Sequence, residues 1–230
     1  MLKTNGLVLC AVGLFLAGPA FAAPDFTGVW RLDGDATALR SISGKTPPLT
    51  SWGREQYEHN QAAFARKDYS GDLTRLQCAS AGAVRLITLP YPVEFFQRPF
   101  QLTMLFGWNH EYRLINLRPT AMTTPYELAI GISNGHWEGD TLVVRTTDLT
   151  DNTLLDSAGL PHGDKTIVTE RIRMLDRRHM EDVVTITDPK AYSRDWSFRL
   201  GYHKTAAKGV AEDVCLDRMA AGGPALENPQ

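Results

Sequence analysis

A regular alternation of apolar and polar residues, with a period of two, is the feature that most constrains how this chain folds. The alternation is clearest over residues 100–116. Every second side chain of a β-strand lies on the same face. The pattern therefore predicts one apolar face made of Phe100, Leu102, Met104, Phe106, Trp108, His110, Tyr112 and Leu114. On this prediction His110 and Tyr112 point inward.

Three later segments, 168–174, 180–186 and 196–202, alternate in the same way. The first two each carry one acidic residue on the apolar face, Glu170 and Asp182 respectively. We expect both carboxyl groups inside the protein, beside apolar neighbours.

These strand patterns and the short turns between them favour a mainly β fold, because no rhythm of alternating strands and helices indicates a parallel sheet. We expect an antiparallel barrel or a strongly curved sheet. One N-terminal helix is predicted, capped by Thr50 or Ser51 and ending near Lys67. A barrel of about eight strands has room for one small ligand.

A predicted hairpin over residues 135–144 stands at the centre of this pattern. Gly139 and Asp140 supply its turn. The acid-rich loop 148–164 follows the hairpin and precedes the strand of Glu170, so its side chains are expected at the mouth of the barrel. An alternative is that Asp156, His162 and Asp164 share a metal ion, although their spacing is not diagnostic.

The first 22 residues have the pattern of a cleaved signal peptide. Lys3 precedes an apolar run at 7–16, and Ala20-Phe21-Ala22 matches a cleavage site. The alternatives are a retained anchor, for which the run is short of the roughly 20 residues that span a bilayer, and a lipoprotein modified at Cys10. We predict a periplasmic or secreted protein with one domain at 23–230.

Charge and cysteine content limit the partners of the mature chain. Its acidic residues slightly outnumber the basic ones and no basic block occurs, so we predict neither nucleic-acid binding nor stable membrane insertion. In an oxidising compartment, Cys78 and Cys215 are expected to form one disulfide. The competing interpretation is a nucleophilic cysteine.

Several kinds of chemistry lack their sequence motifs. Neither a zinc-protease, a paired-cysteine nor an EF-hand motif occurs, and no glycine-rich phosphate loop or nucleophile elbow is present. We therefore predict no cofactor and no metal. The oligomeric state is left open.

The remaining chemistry is acid–base catalysis in an apolar barrel pocket. Burial raises the pKa of a carboxyl group towards neutrality, where histidine already titrates. His110 and Glu170 are the predicted proton-transfer pair, with Tyr112 orienting the substrate and Asp156 and His162 assisting. Such a site suits a lyase, isomerase, cyclase or hydrolase that acts on an apolar small molecule. The predicted ligand-lining residues are Trp108, Trp137, Phe106, Glu94 and Asp182.

Two other functions stay open at this point. The same cavity would serve a non-catalytic carrier of a hydrophobic ligand, and a barrel filled with side chains would suit a structural or interaction protein. In a structural role, His110 would form a hydrogen bond with a carboxylate in the core, and Arg171 or Arg173 would neutralise the charge of Glu170.

Several segments resemble a large, mostly uncharacterised family of secreted bacterial proteins. The resemblance lies in residues 89–95, the Gly-His-Trp-Glu-Gly-Asp-Thr-Leu-Val-Val block at 135–144, and residues 155–162, 168–171 and 185–189. It implies secretion and no particular activity. Between 118 and 130 the chain is shorter than the family pattern and lacks its Asp-Gly-Arg-x-His-Pro turn. Gly28-Val29-Trp30 also resembles the Gly-x-Trp of lipocalins, which implies a calycin-like barrel.

Overall fold

The protein is a closed β-barrel of nine strands, seen here in a computed structural model that describes residues 23–226. The strands follow one another around the barrel in chain order. The predicted signal peptide lies outside the described residues. The mainly β, barrel-like fold is confirmed. The strands are β1 Gly28–Leu32, β2 Val93–Arg98, β3 Gln101–Phe106, β4 Tyr112–Asn116, β5 Ile132–Glu138, β6 Thr141–Thr147, β7 Ile167–Met174, β8 His179–Thr187 and β9 Trp196–Lys204.

One strand pair departs from the predicted antiparallel arrangement. Eight of the nine neighbouring pairs are antiparallel, including the pair β1–β9 that closes the barrel, but β4 and β5 run parallel. A parallel pair needs a crossover of about a dozen residues or more. The segment 117–131 between β4 and β5 is long enough for such a crossover.

The predicted helix is present, and three short helices accompany it. Helix α1 covers Ser51–Ala65, and the Thr50 side chain accepts a hydrogen bond from the Gly53 amide. The short helices escaped prediction because five or six residues are too few to show a helical period. Among residues 23–226 no helix is both long and apolar enough to cross a bilayer. The short helices are α2 Leu73–Gln77, α3 Ala83–Thr88 and α4 Cys215–Ala220.

The predicted central hairpin is also present. It is formed by β5 and β6, which pair from Ile132↔Thr147 to Glu138↔Thr141. Gly139 in its turn has a φ of 64°, a left-handed conformation that favours glycine.

The inward faces of β7, β8 and β9 agree with the predicted alternation. Glu170 and Asp182 are buried on these faces, between apolar neighbours. A void wide enough for water would leave accessible surface on the side chains around it, but the inward residues of these strands are almost completely covered. Side chains therefore fill the barrel along these strands.

The predicted inward face of residues 100–114 is wrong beyond Trp108. Residues 107–111 form a turn between β3 and β4, in which Asn109 and His110 both take positive φ angles. This turn shifts the alternation by one residue, so that Arg113 is buried and Tyr112 is 59% exposed. His110 is exposed as well. At the start of the run Phe100 is also exposed, because it lies in the preceding turn.

The predicted disulfide between Cys78 and Cys215 is confirmed. Its two Cα atoms are 5.8 Å apart, and the bond links the end of α2 to the start of α4. The C-terminal segment is thereby fixed to the first third of the described chain.

We expect the Cys78→Ser, Cys215→Ser double variant to lose about 4 to 5 kcal/mol of unfolding free energy, because the bond closes a long loop in the unfolded chain. The sequence separation that sets this loop is 137 residues. Urea denaturation with and without reductant measures the loss. Reductant should lower the midpoint of the wild type and leave that of the double variant unchanged. A wild-type midpoint that is the same with and without reductant would contradict the expectation.

Candidate functional site

A cleft of about 420 Å³ lies between α1 and the loop that joins β6 to β7. We call it the helix–loop cleft. Helix α1 contributes one wall, which includes Trp52, Gln56 and His59, and Thr153 and His162 contribute from the loop. The cleft is outside the barrel interior, because none of its lining residues belongs to a strand.

Asp156 shapes the loop wall of this cleft. Its carboxylate accepts hydrogen bonds from the amides of Leu39 (2.9 Å), Ala158 (3.0 Å) and Leu160 (2.9 Å). Its burial is the main cause that raises the pKa of this carboxyl group above the ordinary value. Because both oxygens serve backbone amides, Asp156 holds the loop in place and does not face the cleft.

Gly159 brings the loop against helix α1. It has a φ of 101°, and a Cβ atom there would lie 2.8 Å from the Cβ of Asn60. The Asn60 side-chain amide donates to the Gly159 carbonyl over 2.9 Å. Only glycine allows this close approach, which sets the width of the cleft at this wall.

Asp188 fixes the other end of the loop, beside His162. Its Oδ2 atom accepts hydrogen bonds from the Gly163 amide (2.7 Å) and the Thr166 hydroxyl (2.8 Å). The Gly163 carbonyl, in turn, receives a hydrogen bond from Nδ1 of His162 over 3.1 Å. The orientation of the His162 ring is thus anchored through Gly163 by a buried carboxylate.

His162 and Thr153 form a hydrogen-bonded pair at the floor of the cleft. A carbonyl oxygen only accepts, so Nδ1 carries the proton in the neutral ring, and Nε2 accepts from the Thr153 hydroxyl at 2.8 Å. Burial lowers the pKa of His162 and keeps it neutral around pH 7. The floor therefore offers a hydroxyl group already bonded to a neutral base.

The rim of the cleft combines an aromatic ring with a compensated charge pair. The ammonium of Lys190 lies 4.6 Å from the centre of the Trp52 ring and 3.6 Å from a carboxylate oxygen of Asp151. The two charges offset each other, and the nearby Gln56 side chain adds hydrogen-bonding groups without charge. This surface suits an uncharged ring with polar substituents.

A second polar group, which we call the interior cluster, lies inside the barrel and consists of Arg113, Glu170, Asp182, Ser133 and Thr146. Arg113 forms a two-pronged ion pair with Glu170, in which Nη1 is 2.9 Å from Oε1 and Nη2 contacts Oε2. The guanidinium also donates to the Ser133 hydroxyl (2.9 Å) and the Thr146 hydroxyl (2.7 Å). Glu170 is therefore a satisfied member of the packed interior.

The predicted neutralisation of Glu170 by Arg171 or Arg173 is wrong. Both arginines lie on the outer face of β7, where they pair with Glu138 and Glu181 respectively, each at 2.9 Å. Arg113 was missed because the predicted alternation placed it on the polar face. Recognising the turn at 107–111 would have predicted that Arg113 is buried.

Asp182 completes the interior cluster, and its surroundings favour the protonated form. Burial, together with the adjacent charge of Glu170, raises the pKa of Asp182 well above its ordinary value. With Asp182 neutral, one arginine faces one carboxylate, so the cluster carries no net charge. One oxygen of Asp182 has no hydrogen-bond partner among residues 23–226.

The structure does not bring the predicted proton-transfer pair together. Glu170 is inside the barrel, whereas His110 lies in the exposed turn and its Nε2 donates to the Ala211 carbonyl over 2.8 Å. Tyr112 also lies on the outside. Of the five predicted catalytic residues, only His162 lines the helix–loop cleft.

The predicted ligand-lining residues are spread over the molecule. Phe106 is packed in the core, and the buried Trp108 donates to the Ala225 carbonyl over 2.9 Å. Trp137 stacks on Phe26 with 5.7 Å between ring centres and borders a separate surface cleft. Glu94 accepts from the Val210 amide (3.3 Å), and Asp182 belongs to the interior cluster. These residues therefore do not surround one pocket.

Asp156, His162 and Asp164 do not converge on a common point. The first two form the hydrogen bonds described above. Asp164 is exposed beside Lys165, with 3.3 Å between its Oδ2 atom and the Nζ atom of the lysine. Within residues 23–226 no group of three or more histidine, cysteine or acidic side chains has the geometry to hold a metal ion.

The raised pKa of Asp182 predicts a specific dependence of stability on pH. Its pKa is raised in the folded protein, so stability is greatest below the unfolded pKa of about 3.9 and falls as pH rises towards the folded pKa, by about 1.4 kcal/mol for each pH unit. Asp182→Asn should remove this decline, since an amide stays neutral. Urea denaturation from pH 5 to 8 measures it, with the exposed Asp195→Asn as a matched control. Parallel curves for wild type and Asp182→Asn would contradict the assignment.

Comparison with known proteins adds no functional assignment. No protein-family model matches the chain, and no curated protein matches it significantly. The resemblance to a family of secreted bacterial proteins therefore stays a prediction, and the function has to be argued from the geometry of the chain itself.

Proposed function

We propose that this chain is an exported small-molecule-binding protein whose ligand occupies the helix–loop cleft. The observation that carries the proposal is the lining of the cleft, which combines the Trp52 side chain with the hydrogen-bonded Thr153 and His162. The barrel is the scaffold for this site, and the proposed pocket lies outside the barrel interior, between helix α1 and the loop that joins β6 to β7.

The size and chemistry of the cleft support a small-molecule ligand. Ligand pockets commonly have volumes of roughly 300 to 1,000 Å³ and combine an apolar surface with a few polar groups. Trp52 offers a flat apolar face, and Gln56 and His59 offer hydrogen bonds. Because Lys190 and Asp151 compensate each other, the proposed ligand is an uncharged, ring-containing molecule.

The packing of the barrel argues against the interior as the ligand site. The interior cluster and the apolar side chains around it leave almost no accessible surface on the inward faces of β7 to β9. A ligand placed there would have to displace Arg113 from Glu170, which would leave a buried carboxylate without its partner. Breaking a buried ion pair in this way typically costs about 3–5 kcal/mol.

Export is the second part of the proposal. Disulfides persist in oxidising compartments outside the cytoplasm. The disulfide between Cys78 and Cys215 therefore supports export. The signal-peptide pattern at 1–22 and the resemblance to secreted bacterial proteins point in the same direction.

A cofactor-independent enzyme acting at the same cleft is the second candidate function. General-base catalysis needs a group that is unprotonated at the working pH and lies within hydrogen-bond reach of the proton it takes. His162 satisfies this requirement, because burial lowers its pKa and Thr153 is bonded to its Nε2. Of the predicted reaction classes, hydrolysis is the one that this pair favours.

Indole NMR signals offer a direct test of the binding site. The chain has five tryptophans, so ¹⁵N labelling gives five indole resonances, and Trp52→Phe identifies the one from Trp52. We expect a screen of uncharged aromatic and sugar-sized compounds to yield ligands that shift the Trp52 signal. Trp52→Ala should weaken their binding roughly 3- to 10-fold, the usual effect of losing an aromatic stacking contact.

The other indoles and a surface variant act as controls. Trp30, Trp108 and Trp196 are buried in the barrel core, and shifts confined to them would place the ligand in the interior. Tyr126→Ala removes a 70% exposed ring outside the cleft and should leave the affinity unchanged. If no compound moves any indole signal, the structural or interaction function predicted as an alternative would be preferred.

A further inference from the structure

We propose that Thr153 and His162 form a nucleophile–base pair that cleaves acyl compounds, such as activated esters, in the helix–loop cleft. This inference rests on the proposed function, since it uses the same cleft. It gives Thr153 a catalytic role and names a reaction, neither of which the binding proposal requires.

The hydrogen bond between the two side chains has the direction that nucleophile activation needs. An activated hydroxyl requires a base within about 2.6 to 3.2 Å, and that base must be held by a third group. Nε2 of His162 lies 2.8 Å from the Thr153 hydroxyl, and its lone pair faces that hydroxyl because Nδ1 donates to Gly163. His162 therefore has one proton to accept, the one on Thr153.

The surroundings of His162 favour the charge that develops during the reaction. Burial keeps the ring neutral at rest, while the carboxylates of Asp188 and Asp151 act electrostatically in favour of its protonated form and Lys190 opposes them. Asp188 also holds the Gly163 amide at 2.7 Å, so the carbonyl that orients Nδ1 is fixed. The ring can take up a proton without losing its anchor.

Packing fixes the position of the Thr153 hydroxyl. A Cβ atom at Gly82 would lie 2.7 Å from this oxygen, so any residue larger than glycine would displace it. Gly82 also has a φ of 82°, which disfavours other residues. The hydroxyl is thereby held in place in a residue that is 8% exposed and that lines the cleft.

Asn152, an exposed neighbour of Thr153 in the lining of the cleft, is the proposed donor to the intermediate. It lines the cleft next to Thr153, and its side-chain oxygen accepts a hydrogen bond from the Thr150 hydroxyl over 2.7 Å. Its amide nitrogen makes no hydrogen bond to any residue of the described range 23–226. A free amide donor beside the nucleophile suits the negative oxygen that forms when a carbonyl is attacked.

The reaction balances without a cofactor. The Thr153 oxygen bonds to the ester carbonyl carbon while its proton moves to Nε2 of His162. The carbon–oxygen bond to the leaving group then breaks, and His162 gives the proton to the departing alkoxide. Water next attacks the acyl-threonine, with Nε2 taking its proton and returning it to the Thr153 oxygen. The products are an alcohol and a carboxylic acid.

The test uses p-nitrophenyl acetate on the whole folded protein. We expect a burst of nitrophenolate equal to one per protein molecule, and peptide mapping by mass spectrometry should find the acetyl group on Thr153. Thr153→Ser should retain the burst because it keeps the hydroxyl. Thr153→Val, which has nearly the same shape, and His162→Gln should each lower the acylation rate by about 10²-fold or more.

Two comparisons make the outcome decisive. His136→Gln removes an exposed histidine from the far strand β5 and should leave the rate unchanged. Acetylation found elsewhere, or a burst that persists in a folded Thr153→Val protein, would overturn the pair. If that variant unfolds, the mapped position in the wild type decides. Ligand shifts at Trp52 without acylation would leave the binding proposal standing and remove only the catalytic one.

Discussion

The ion pair between Arg113 and Glu170 is the interaction on which the barrel depends. It joins β4 to β7 through the interior, and the same guanidinium bonds Ser133 on β5 and Thr146 on β6. A buried pair of this kind is not in itself strongly stabilising, but losing one partner is costly because the other charge remains desolvated. The pair therefore favours one arrangement of four strands, and the raised pKa of Asp182 limits the negative charge beside it.

Buried charges are also compensated around the helix–loop cleft. Buried carboxylates there accept hydrogen bonds from backbone amides or from arginine. Asp156 and Asp188 accept from backbone amides. The two oxygens of Asp72 accept from Arg85 at 2.8 and 2.9 Å. Each one fixes a loop that has little regular structure of its own. The cleft is thus rigid although loops form much of it, and a rigid site loses less entropy when a ligand binds.

Periodicity predicted the strands well and the connections poorly. The burial of Glu170 and Asp182 followed from alternation alone, because β7 and β8 run without interruption. The turn at 107–111 shifted the pattern by one residue, which exposed His110 and Tyr112 and buried Arg113. The role of Asp156 depends on contact with Leu39, 117 residues away in sequence, and no local pattern carries that information. His162 was predicted to assist a site and lies in the lining of the helix–loop cleft, whereas its partner Thr153 has no distinguishing motif.

The parallel pairing of β4 and β5 has a consequence for the order in which the barrel assembles. Only two register pairs join these strands, whereas eight join β7 to β8. Strands β5 to β9 are consecutive antiparallel neighbours, whose local contacts require little loop closure and therefore form early. The β4–β5 seam forms only when the crossover 117–131 is in place, and barrel closure by β1 and β9 joins the most distant parts of the chain. Arg113 crosses this seam to Ser133, so pairing β4 with β5 also takes a charged group out of water.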